Sequence, residues 1–244
     1  MEYIASLSYG KDSIYMLEVI KQNNMPLDRI ITCDIMATNT IYADLPPMIE
    51  FKVKADKIIL DRYGIRVEHI KSKYSYEDYF YKILGKRAKL KNQGKIYGFP
   101  FQIGAWCNYR LKVAPLNKVC KNNISYIGIA VEEKKRYKIL NDNKISPLVL
   151  HNITENQCLN WCKDNNLLSP IYNSFITRGG CWFCHNQKIG ELRQLYHNYP
   201  ELWKLMLKWD NDSPVSFKPD GTTIQDLSDL FKFQDKQRTM FDTN

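Results

Sequence analysis

The sequence lacks long apolar runs and has few of the residues that mark fibrous or disordered chains. No stretch approaches ~18 uninterrupted apolar residues, the length that a membrane-spanning helix needs. Only 11 of the 244 residues are Gly and 10 are Pro, which excludes a collagen-like or low-complexity chain. The first residues lack the basic and apolar segments of a secretion signal. We therefore expect a cytoplasmic protein with no membrane partner.

The composition is that of a globular protein with a basic surplus. Hydrophobic residues make up 44% of the chain and charged residues 25%, enough for one large domain or for a domain with an appendage. Lys and Arg number 35 against 26 Asp and Glu, a net charge of +9. Such a charge favours an anionic partner. It is compatible with tRNA, DNA or a small acidic metabolite, and it leaves the oligomeric state open, a homodimer included.

Apolar runs alternate with helical periodicities along the first part of the chain. Short runs at 3–7, 29–33, 66–70 and 125–130 predict strands, and the spacing of apolar residues after the first two runs predicts helices. Alternating strands and helices need crossover connections. The pattern therefore predicts an α/β fold, an open, mostly parallel twisted sheet with helices on both faces.

The chain changes character after about residue 150. Thr154 and Gln157 have the spacing of a capping box at the start of a helix, and residues 190–209 predict helices interrupted at Pro200. We expect residues 1–150 to form the α/β domain. Residues 151–244 are expected to form a helical C-terminal region packed on it, which carries the Cys-x-x-Cys motif.

Residues 8–13, Ser-Tyr-Gly-Lys-Asp-Ser, lie between the first predicted strand and the first predicted helix. Gly10 lets the backbone turn closely around an anion, and the helix N-terminus presents unpaired amides to it. Ser8 and Ser13 add hydroxyl donors, and Lys11 adds positive charge. Neither the Walker loop nor the dinucleotide fingerprint fits this segment. The sequence therefore predicts a polyphosphate site of another type, with a simple helix-capping loop as the alternative.

The chain has seven cysteines, an odd number without a secretion signal, so a disulfide framework is not expected. Cys181 and Cys184 follow two glycines and are spaced to bind one ion or cluster, and Cys107 stands upstream. Together with His185 they could form a closed zinc site. An iron–sulfur cluster and uncoordinated or redox-active thiols are the other interpretations.

The Ser-x-Gly-Lys-Asp-Ser loop resembles the PP-loop of the adenine nucleotide alpha-hydrolase superfamily, which includes ATP pyrophosphatases, sulfonucleotide reductases and tRNA thiolases. Later segments are similar to its phosphoadenylyl-sulfate (PAPS) reductase-like branch. These segments are Gly98-Phe-Pro with Trp106-Cys107 and Lys112-x-x-Pro115, then Gly128 to Arg136, and finally Gly180-Cys-Trp-Phe-Cys184.

The resemblance implies that residues 1–150 are a PP-loop nucleotide-binding domain, with ATP over the carboxyl ends of the strands and Mg²⁺ as its counter-ion. It implies catalytic roles for Lys11, Asp12 and Arg136. Arg136 has an alternative interpretation as a surface arginine paired with Glu132 or Glu133. The implied nucleotide-binding residues are Ser8, Gly10, Lys11, Asp12, Ser13 and Asp34.

The resemblance also implies that Cys107, Cys181 and Cys184 are metal ligands, which hold a 4Fe–4S cluster through three thiolates. Related reductases have a second cysteine beside the first, but here Asn108 follows Cys107. Three protein ligands leave one iron open, as in the tRNA thiolases of the superfamily. Zn²⁺ is the alternative metal.

The function implied is that of an ATP-dependent sulfur transferase, a PP-loop ATP pyrophosphatase-type enzyme. It would adenylylate an acceptor, release pyrophosphate and insert sulfur with the help of the cluster. A phosphoadenylyl-sulfate or adenylyl-sulfate reductase is less favoured, because no cysteine follows Cys184 to act as the nucleophile of such enzymes. A third interpretation is a non-catalytic nucleotide-binding component of a DNA-modification or defence complex.

Overall fold

The structure is a computed structural model that describes residues 1–86, 89–100, 105–138, 140, 142–173 and 180–242. Its central feature is one five-stranded sheet with the strand order β3-β2-β1-β4-β5, in which every pair of neighbours is parallel. The strands are β1 (Tyr3–Ser6), β2 (Arg29–Asp34), β3 (Val67–Lys71), β4 (Ile124–Ile127) and β5 (Lys144–Ile145).

The predicted α/β fold is confirmed. Four strands occupy the apolar runs that predicted them, and their central residues, such as Ile4, Ile30 and Ile31, are fully buried. Burial of this kind is typical of parallel strands covered by helices. The fifth strand is only two residues long, too short to leave a periodic signal in the sequence.

The order of the strands reverses beside β1. Ser6 at the end of β1 pairs with Ile31 of β2 on one side and with Ile127 of β4 on the other. Open α/β sheets bind ligands in the crevice outside the carboxyl ends of the strands at such a reversal. The loops that follow β1 and β4 therefore leave the sheet where a ligand is expected.

Two long helices follow the first two strands. Helix α1 (Lys11–Gln22) has a buried face that includes Ile14 and Leu17. Helix α2 (Pro46–Tyr63) begins with prolines, whose fixed φ suits the first helical turn. It ends at Gly64, which has a φ of 71° and donates its amide to the Leu60 carbonyl.

The remaining helices are shorter or lie in the C-terminal half. They are α3 (Tyr76–Phe80), α4 (Trp106–Asn108), α5 (Ala114–Cys120), α6 (Lys134–Tyr137), α7 (Pro147–Leu150), α8 (Glu155–Asp164), α9 (Ile189–Asn198), α10 (Pro200–Asp212) and α11 (Ile224–Asp242). Single turns of 3-10 helix cover Leu90–Asn92, Val131–Glu133 and Pro170–Asn173, and one π-helical turn covers Tyr109–Val113.

The predicted capping box and the break at Pro200 are both present. The Gln157 amide donates to Thr154 Oγ1 at 3.2 Å, and the Thr154 amide donates to Gln157 Oε1 at 2.8 Å, at the start of α8. Pro200 separates α9 from α10. Local hydrogen bonding and the fixed φ of proline decide both features, so the sequence alone was enough to predict them.

The described chain forms two compact units, each built from separate segments. Unit 1 comprises 1–35, 44–73 and 110–179, and unit 2 comprises 36–43, 74–109 and 180–244. Unit 1 contains the sheet. The domain boundary predicted at residue 150, with a C-terminal region of 151–244, stays a prediction. The two compact units do not divide at that residue.

The two units have cores of different kinds. The core of unit 1 is mainly aliphatic and lies against the sheet. Unit 2 has an aromatic cluster, which consists of Tyr76, Phe80, Phe99, Trp106, Trp182, Phe183 and Trp209. Among the residues that the structure describes, no helix combines the length and the apolar character needed to cross a bilayer.

Candidate functional site

The loop predicted to bind phosphate joins β1 to α1 in unit 1. Gly10 is the residue before the first turn of α1, and among the described residues no side chain caps this helix end. The φ of Gly10 is −78°, which any residue can adopt, and a Cβ there would lie 3.6 Å from Ser8 Oγ. The missing side chain therefore leaves free space in front of the helix N-terminus, where amides and the helix dipole favour an anion.

The two serines of the loop have different surroundings. Ser8 is exposed, whereas Ser13 is 4% exposed. The Ser8 amide donates to Ser13 Oγ at 3.1 Å, the Ser8 hydroxyl donates to it at 3.0 Å, and the Ser13 hydroxyl donates to the Gly10 carbonyl at 3.0 Å. Ser13 thus holds the loop in shape, and Ser8 is the serine that faces solvent.

Lys11 is paired with acidic side chains. Its Nζ lies 2.9 Å from a carboxylate oxygen of Asp12 and 2.9 Å from Glu155 Oε2. Burial lowers the pKa of Lys11, but the hydrogen bonds to these two carboxylates outweigh it, so the pKa is raised above its ordinary value. Lys11 therefore keeps its charge, and any phosphate at the loop competes with Glu155 for that charge.

The hydroxyl of Tyr172 lies beside the start of α1. Burial raises the pKa of Tyr172, while a hydrogen bond from the Lys11 backbone amide lowers it, and the net change is upward. The same hydroxyl would lie 3.9 Å from a Cβ at Gly10. Tyr172 thus accepts a hydrogen bond from one of the amides predicted to bind phosphate. No sequence pattern pointed to Tyr172.

The loop after β4 comes very close to the loop after β1. A Cβ on Gly128 would lie 2.6 Å from both the backbone nitrogen and the Cα of Ser13, and 2.8 Å from the carbonyl carbon of Asp12. Real Cβ atoms do not approach backbone so closely. Glycine at position 128 therefore allows the two loops to meet where the strand order reverses.

Asp34 ends β2 and lies in a network of charged side chains. Its two oxygens lie 2.9 Å from Lys52 Nζ and 2.7 Å from His69 Nδ1. Lys52 also bonds Asp44 at 2.6 Å, and His69 Nε2 lies 2.9 Å from Asp56. Burial raises the pKa of Asp34, but its charged partners, Lys52 foremost, lower it more, so the net pKa falls. Asp34 is thus an ionised carboxylate held in place at the end of β2, and its role in nucleotide binding stays a prediction.

Tyr9 links this network to the loop. It has a φ of 57°, unusual for a residue other than glycine, and its ring is fully buried. Its hydroxyl donates to Asp56, and Lys52 Nζ lies 5.3 Å from the ring centroid. Tyr9 thus anchors the loop through its side chain, next to the half-buried Gly10.

Arg136 lies on α6 and forms an ion pair with Glu133. Its side chain is 59% exposed. This is the surface arrangement that the sequence offered as the alternative. The catalytic role of Arg136 stays a prediction, and it requires the side chain to leave Glu133.

The cysteines predicted to hold a metal lie in unit 2. Cys107 is on α4, and the Cys181–Cys184 segment forms tight turns. The Cys184 amide donates to the Cys181 carbonyl at 3.0 Å, and the Gln187 side chain donates to the same carbonyl at 3.2 Å. Between the two cysteines, the Trp182 amide donates to the Ala43 carbonyl at 2.9 Å. These bonds fix the backbone that carries both thiols.

The charges of the three cysteines all act on the hydroxyl of Tyr76. Burial and then the charges of Cys107, Cys181 and Cys184 raise the pKa of Tyr76 well above its ordinary value. Burial, followed by the charge of Cys184, raises the pKa of Cys107 to about 11. No group of three His, Cys, Asp or Glu side chains in the described part of the chain is placed to hold a metal ion. The thiols thus gather near one hydroxyl without converging on a single ion.

Polar atoms without partners are concentrated around these cysteines. Of the buried side-chain atoms that lack a hydrogen bond among the described residues, four are in unit 2, namely Tyr76 Oη, Trp106 Nε1, His185 Nε2 and Gln187 Oε1, and the fifth is Glu133 Oε2 in unit 1. Trp106 precedes Cys107 and His185 follows Cys184 in the chain. Buried polar groups normally have partners, so this concentration fits a site that takes a polar or metal-containing group.

His185 and Lys218 add further polarity beside Cys184. Burial and then the charge of Lys218 lower the pKa of His185, which favours the neutral imidazole. The Lys218 amine donates to the His185 carbonyl at 2.7 Å and to the Gln187 carbonyl. The charge of Cys184 acts on Lys218 as well, although burial is the larger effect and the pKa of Lys218 is lowered.

All seven cysteines lie in the described ranges, and none forms a disulfide there. Cys158 and Cys162, on α8, are fully buried in the core of unit 1, and Cys162 Sγ lies 3.5 Å from the Lys11 carbonyl. Both side chains are therefore part of the core of unit 1, and Cys162 contacts the backbone at the start of α1. Burial raises the pKa of Cys162 to about 12, so it is a protonated thiol.

Sequence reasoning missed several residues of these sites. Lys52 and His69 meet at Asp34 only because the ends of β2 and β3 and the helix α2 come together. Glu155 reaches Lys11 across 144 positions of sequence. A partial signal existed for His69, because it lies on the strand run 66–70 next to the edge where ligands bind.

The comparisons with known proteins give distant similarities. No protein-family model matches the sequence. The chain is 22% identical over 224 residues to an uncharacterised protein of Methanocaldococcus jannaschii. The alignment covers 85% of this chain and 40% of that protein. This chain therefore spans well under half the length of the curated relative it matches.

Among solved structures, the chain is similar to the U34-tRNA thiolase NcsA from Methanococcus maripaludis with its 4Fe–4S cluster. The similarity covers 95% of this chain and 72% of the thiolase, with 15% sequence identity and a TM-score of 0.40. The parallel sheet and the serine–glycine loop between β1 and α1 are present where the sequence predicted them.

Proposed function

We propose that the protein is a PP-loop ATP-dependent sulfur transferase, which adenylylates an acceptor with release of pyrophosphate and then inserts sulfur. The observation that carries this proposal is that Cys107, Cys181 and Cys184 all act electrostatically on one buried hydroxyl, that of Tyr76, which has no partner among the described residues. A nucleotide-binding protein needs no such group of thiols. The uncapped glycine loop supplies the second requirement, a site for a polyphosphate.

The phosphates of ATP would lie against the loop at the start of α1. The space in front of Gly10 and the exposed hydroxyl of Ser8 suit an anion. A phosphate there would accept the hydrogen bond that the Lys11 backbone amide now donates to the Tyr172 hydroxyl. It would also attract the Lys11 amine away from Glu155. Asp12 is the loop carboxylate that would bind Mg²⁺, the usual counter-ion of a triphosphate, in place of its present pairing with Lys11.

The activation step would be in-line attack at the α-phosphorus. An oxygen of the acceptor forms a bond to this phosphorus, and pyrophosphate leaves with its electron pair. Catalysis of this kind rests on positioning and on neutralising charge, which the loop amides and Lys11 provide. A sulfur nucleophile then displaces AMP from the activated carbon of the acceptor.

The thiols would hold the sulfur-handling group. Three thiols and adjacent polar atoms without partners fit an iron–sulfur cluster by the chemistry of the donors. When bound, a cluster with three protein thiolates offers one iron with an open position for a sulfur ligand. In this chain, Cys107 contributes from α4 and the other two thiols come from one rigid turn.

For the acceptor of the adenylyl group and of the sulfur, we propose only a chemical class, an anionic molecule. The net charge of +9 suits a polyanion such as tRNA or DNA, and also a small acidic metabolite. Each would offer an oxygen on an electrophilic carbon, which is the group that adenylylation activates.

The test is an anaerobic assay of AMP and pyrophosphate formation from ATP, with metal and sulfide analysis of the same preparation. Release of both products that depends on added tRNA, DNA or metabolite, together with iron and sulfide in the protein, is the expected result. Tight ATP binding without turnover would instead indicate the non-catalytic nucleotide-binding component. Release of sulfite from adenylyl sulfate would indicate a reductase.

A further inference from the structure

The hydroxyl of Tyr76 is a buried donor that the described chain does not use. Tyr76 is 1% exposed, and its hydroxyl has no hydrogen-bond partner among the described residues. Phenylalanine would fill the same aromatic space without burying a polar atom, since an unpaired buried hydroxyl costs free energy. A tyrosine at this position therefore needs a partner outside the residues that the structure describes.

The ring of Tyr76 cannot turn its hydroxyl towards solvent without disrupting the packing around it. Its centroid lies 4.2 Å from that of Phe183, and 5.1 Å from those of Trp106 and Trp209. Its backbone amide donates to the Met36 carbonyl at 2.8 Å, and Ser75 caps the helix that it begins. The direction of the hydroxyl is thus set by the fold of unit 2.

The packing of the Tyr76 ring and the charges that act on its hydroxyl indicate its partner. The ring contacts Trp106 and Phe183, which are chain neighbours of Cys107 and Cys184. All three candidate ligand cysteines act electrostatically on the hydroxyl. A phenol donates one hydrogen bond, and the sulfurs of a thiolate-bound centre accept such bonds from surrounding protein groups. Sulfur atoms are therefore the acceptors that the site offers once it is loaded.

We propose that the Tyr76 hydroxyl donates a hydrogen bond to a sulfur of the group held by Cys107, Cys181 and Cys184, and so acts as a positioning residue for that group. This inference rests on the proposed function, because it requires that the thiols bind an iron–sulfur group. It adds a residue that is not a ligand but tunes the group electrostatically. Hydrogen bonds to the sulfurs are one of the factors that set the reduction potential of such centres.

The first test compares Tyr76→Phe with the unchanged protein in two states, metal-free and reconstituted with iron and sulfide. In the metal-free state the variant loses only an unpaired hydroxyl, so its urea unfolding midpoint should be equal or higher. In the loaded state the variant loses a hydrogen bond, so its midpoint should be lower. A variant that is destabilised equally in both states would overturn the proposal, because the partner of the hydroxyl would then lie within the chain.

The second test measures the reduction potential of the reconstituted centre. Tyr76→Phe should keep the iron and sulfide content of the unchanged protein and shift the one-electron potential to a more negative value. A tenfold change in the redox equilibrium corresponds to about 59 mV. An unchanged potential in a fully loaded variant would also overturn the proposal.

Tyr79→Phe is the matched control, since Tyr79 lies on the same helix and its ring packs against Trp106. It should leave the potential unchanged. If the unchanged protein binds no iron and sulfide, the proposed function is wrong. If the loaded protein has a reduction potential that does not respond to Tyr76→Phe, only the role of Tyr76 is refuted.

Discussion

Gly128 and Ser13 are in such close contact that a side chain at position 128 has no room. The position that a Cβ would occupy lies 2.6 Å from the backbone nitrogen of Ser13, in the first turn of α1. This contact joins the loop after β4 to the loop after β1. The shape of the candidate nucleotide site therefore depends on a residue far from it in sequence.

Gly128→Ala should damage the nucleotide site. Overpacking of this kind costs roughly 1–3 kcal/mol, and relief of the clash requires the start of α1 to move. We expect an ATP dissociation constant at least tenfold higher by calorimetry and a lower urea midpoint. Gly190→Ala is the control, because a Cβ there meets nothing within 4 Å. Equal ATP binding by both variants would argue against a site at this loop.

The pairing of Lys11 with Glu155 should limit phosphate binding. Glu155→Gln removes one of the carboxylates that hold the Lys11 amine, so ATP should bind a few-fold more tightly. Lys11→Met should bind ATP about tenfold or more weakly. Glu201→Gln, which alters an exposed pair with Lys204, should change nothing. Weaker binding by Glu155→Gln would show that Glu155 serves the nucleotide instead of competing with it.

His69 should make stability depend on pH. Burial lowers its pKa, but hydrogen bonds to Asp34 and Asp56 outweigh this, so the folded-state pKa lies above the ordinary value of ~6.5. The stabilisation is therefore complete below pH ~6.5 and is lost as the pH rises through the folded-state pKa. The ring is 37% exposed, so solvent screening keeps the effect below about 1 kcal/mol.

Urea unfolding of the unchanged protein and of His69→Gln, measured from pH 5.5 to pH 9, checks this dependence. The difference between the two proteins should shrink as the pH rises. His151→Gln is the control, because His151 is exposed. A difference that is constant over this range would mean that His69 is neutral in the folded state.

Removing a thiol from unit 2 should abolish iron–sulfur binding and sulfur transfer but leave ATP binding intact. Cys181→Ser and Cys107→Ser should lose most of the iron and sulfide after anaerobic reconstitution, because serine is a poor iron ligand. Both should keep the ATP affinity of the unchanged protein. Cys120→Ser, a half-buried position outside the site, is the control and should keep the metal. Full sulfur transfer by Cys181→Ser would refute the role assigned to the thiols.

The sequence allowed the fold and part of the site to be predicted. Strand positions, the capping box at Thr154 and the loop at Gly10 depend on neighbours in the chain, so their signals are local. The surroundings of Lys11 could not be predicted in this way, since Glu155 comes from another helix. The same holds for Ser13, whose hydroxyl was expected to face phosphate and instead bonds the loop itself.

The sequence by itself determined the alternation of apolar runs and helices, the serine–glycine loop and the presence of three cysteines in a recognisable order. Only the tertiary structure decided which carboxylates pair with Lys11, that His69 and Lys52 hold Asp34, and that the charges of three cysteines act on Tyr76. The physical reason is distance along the chain. Periodicity and capping act within one or two turns, whereas ion pairs and buried polar contacts join segments that only packing brings together.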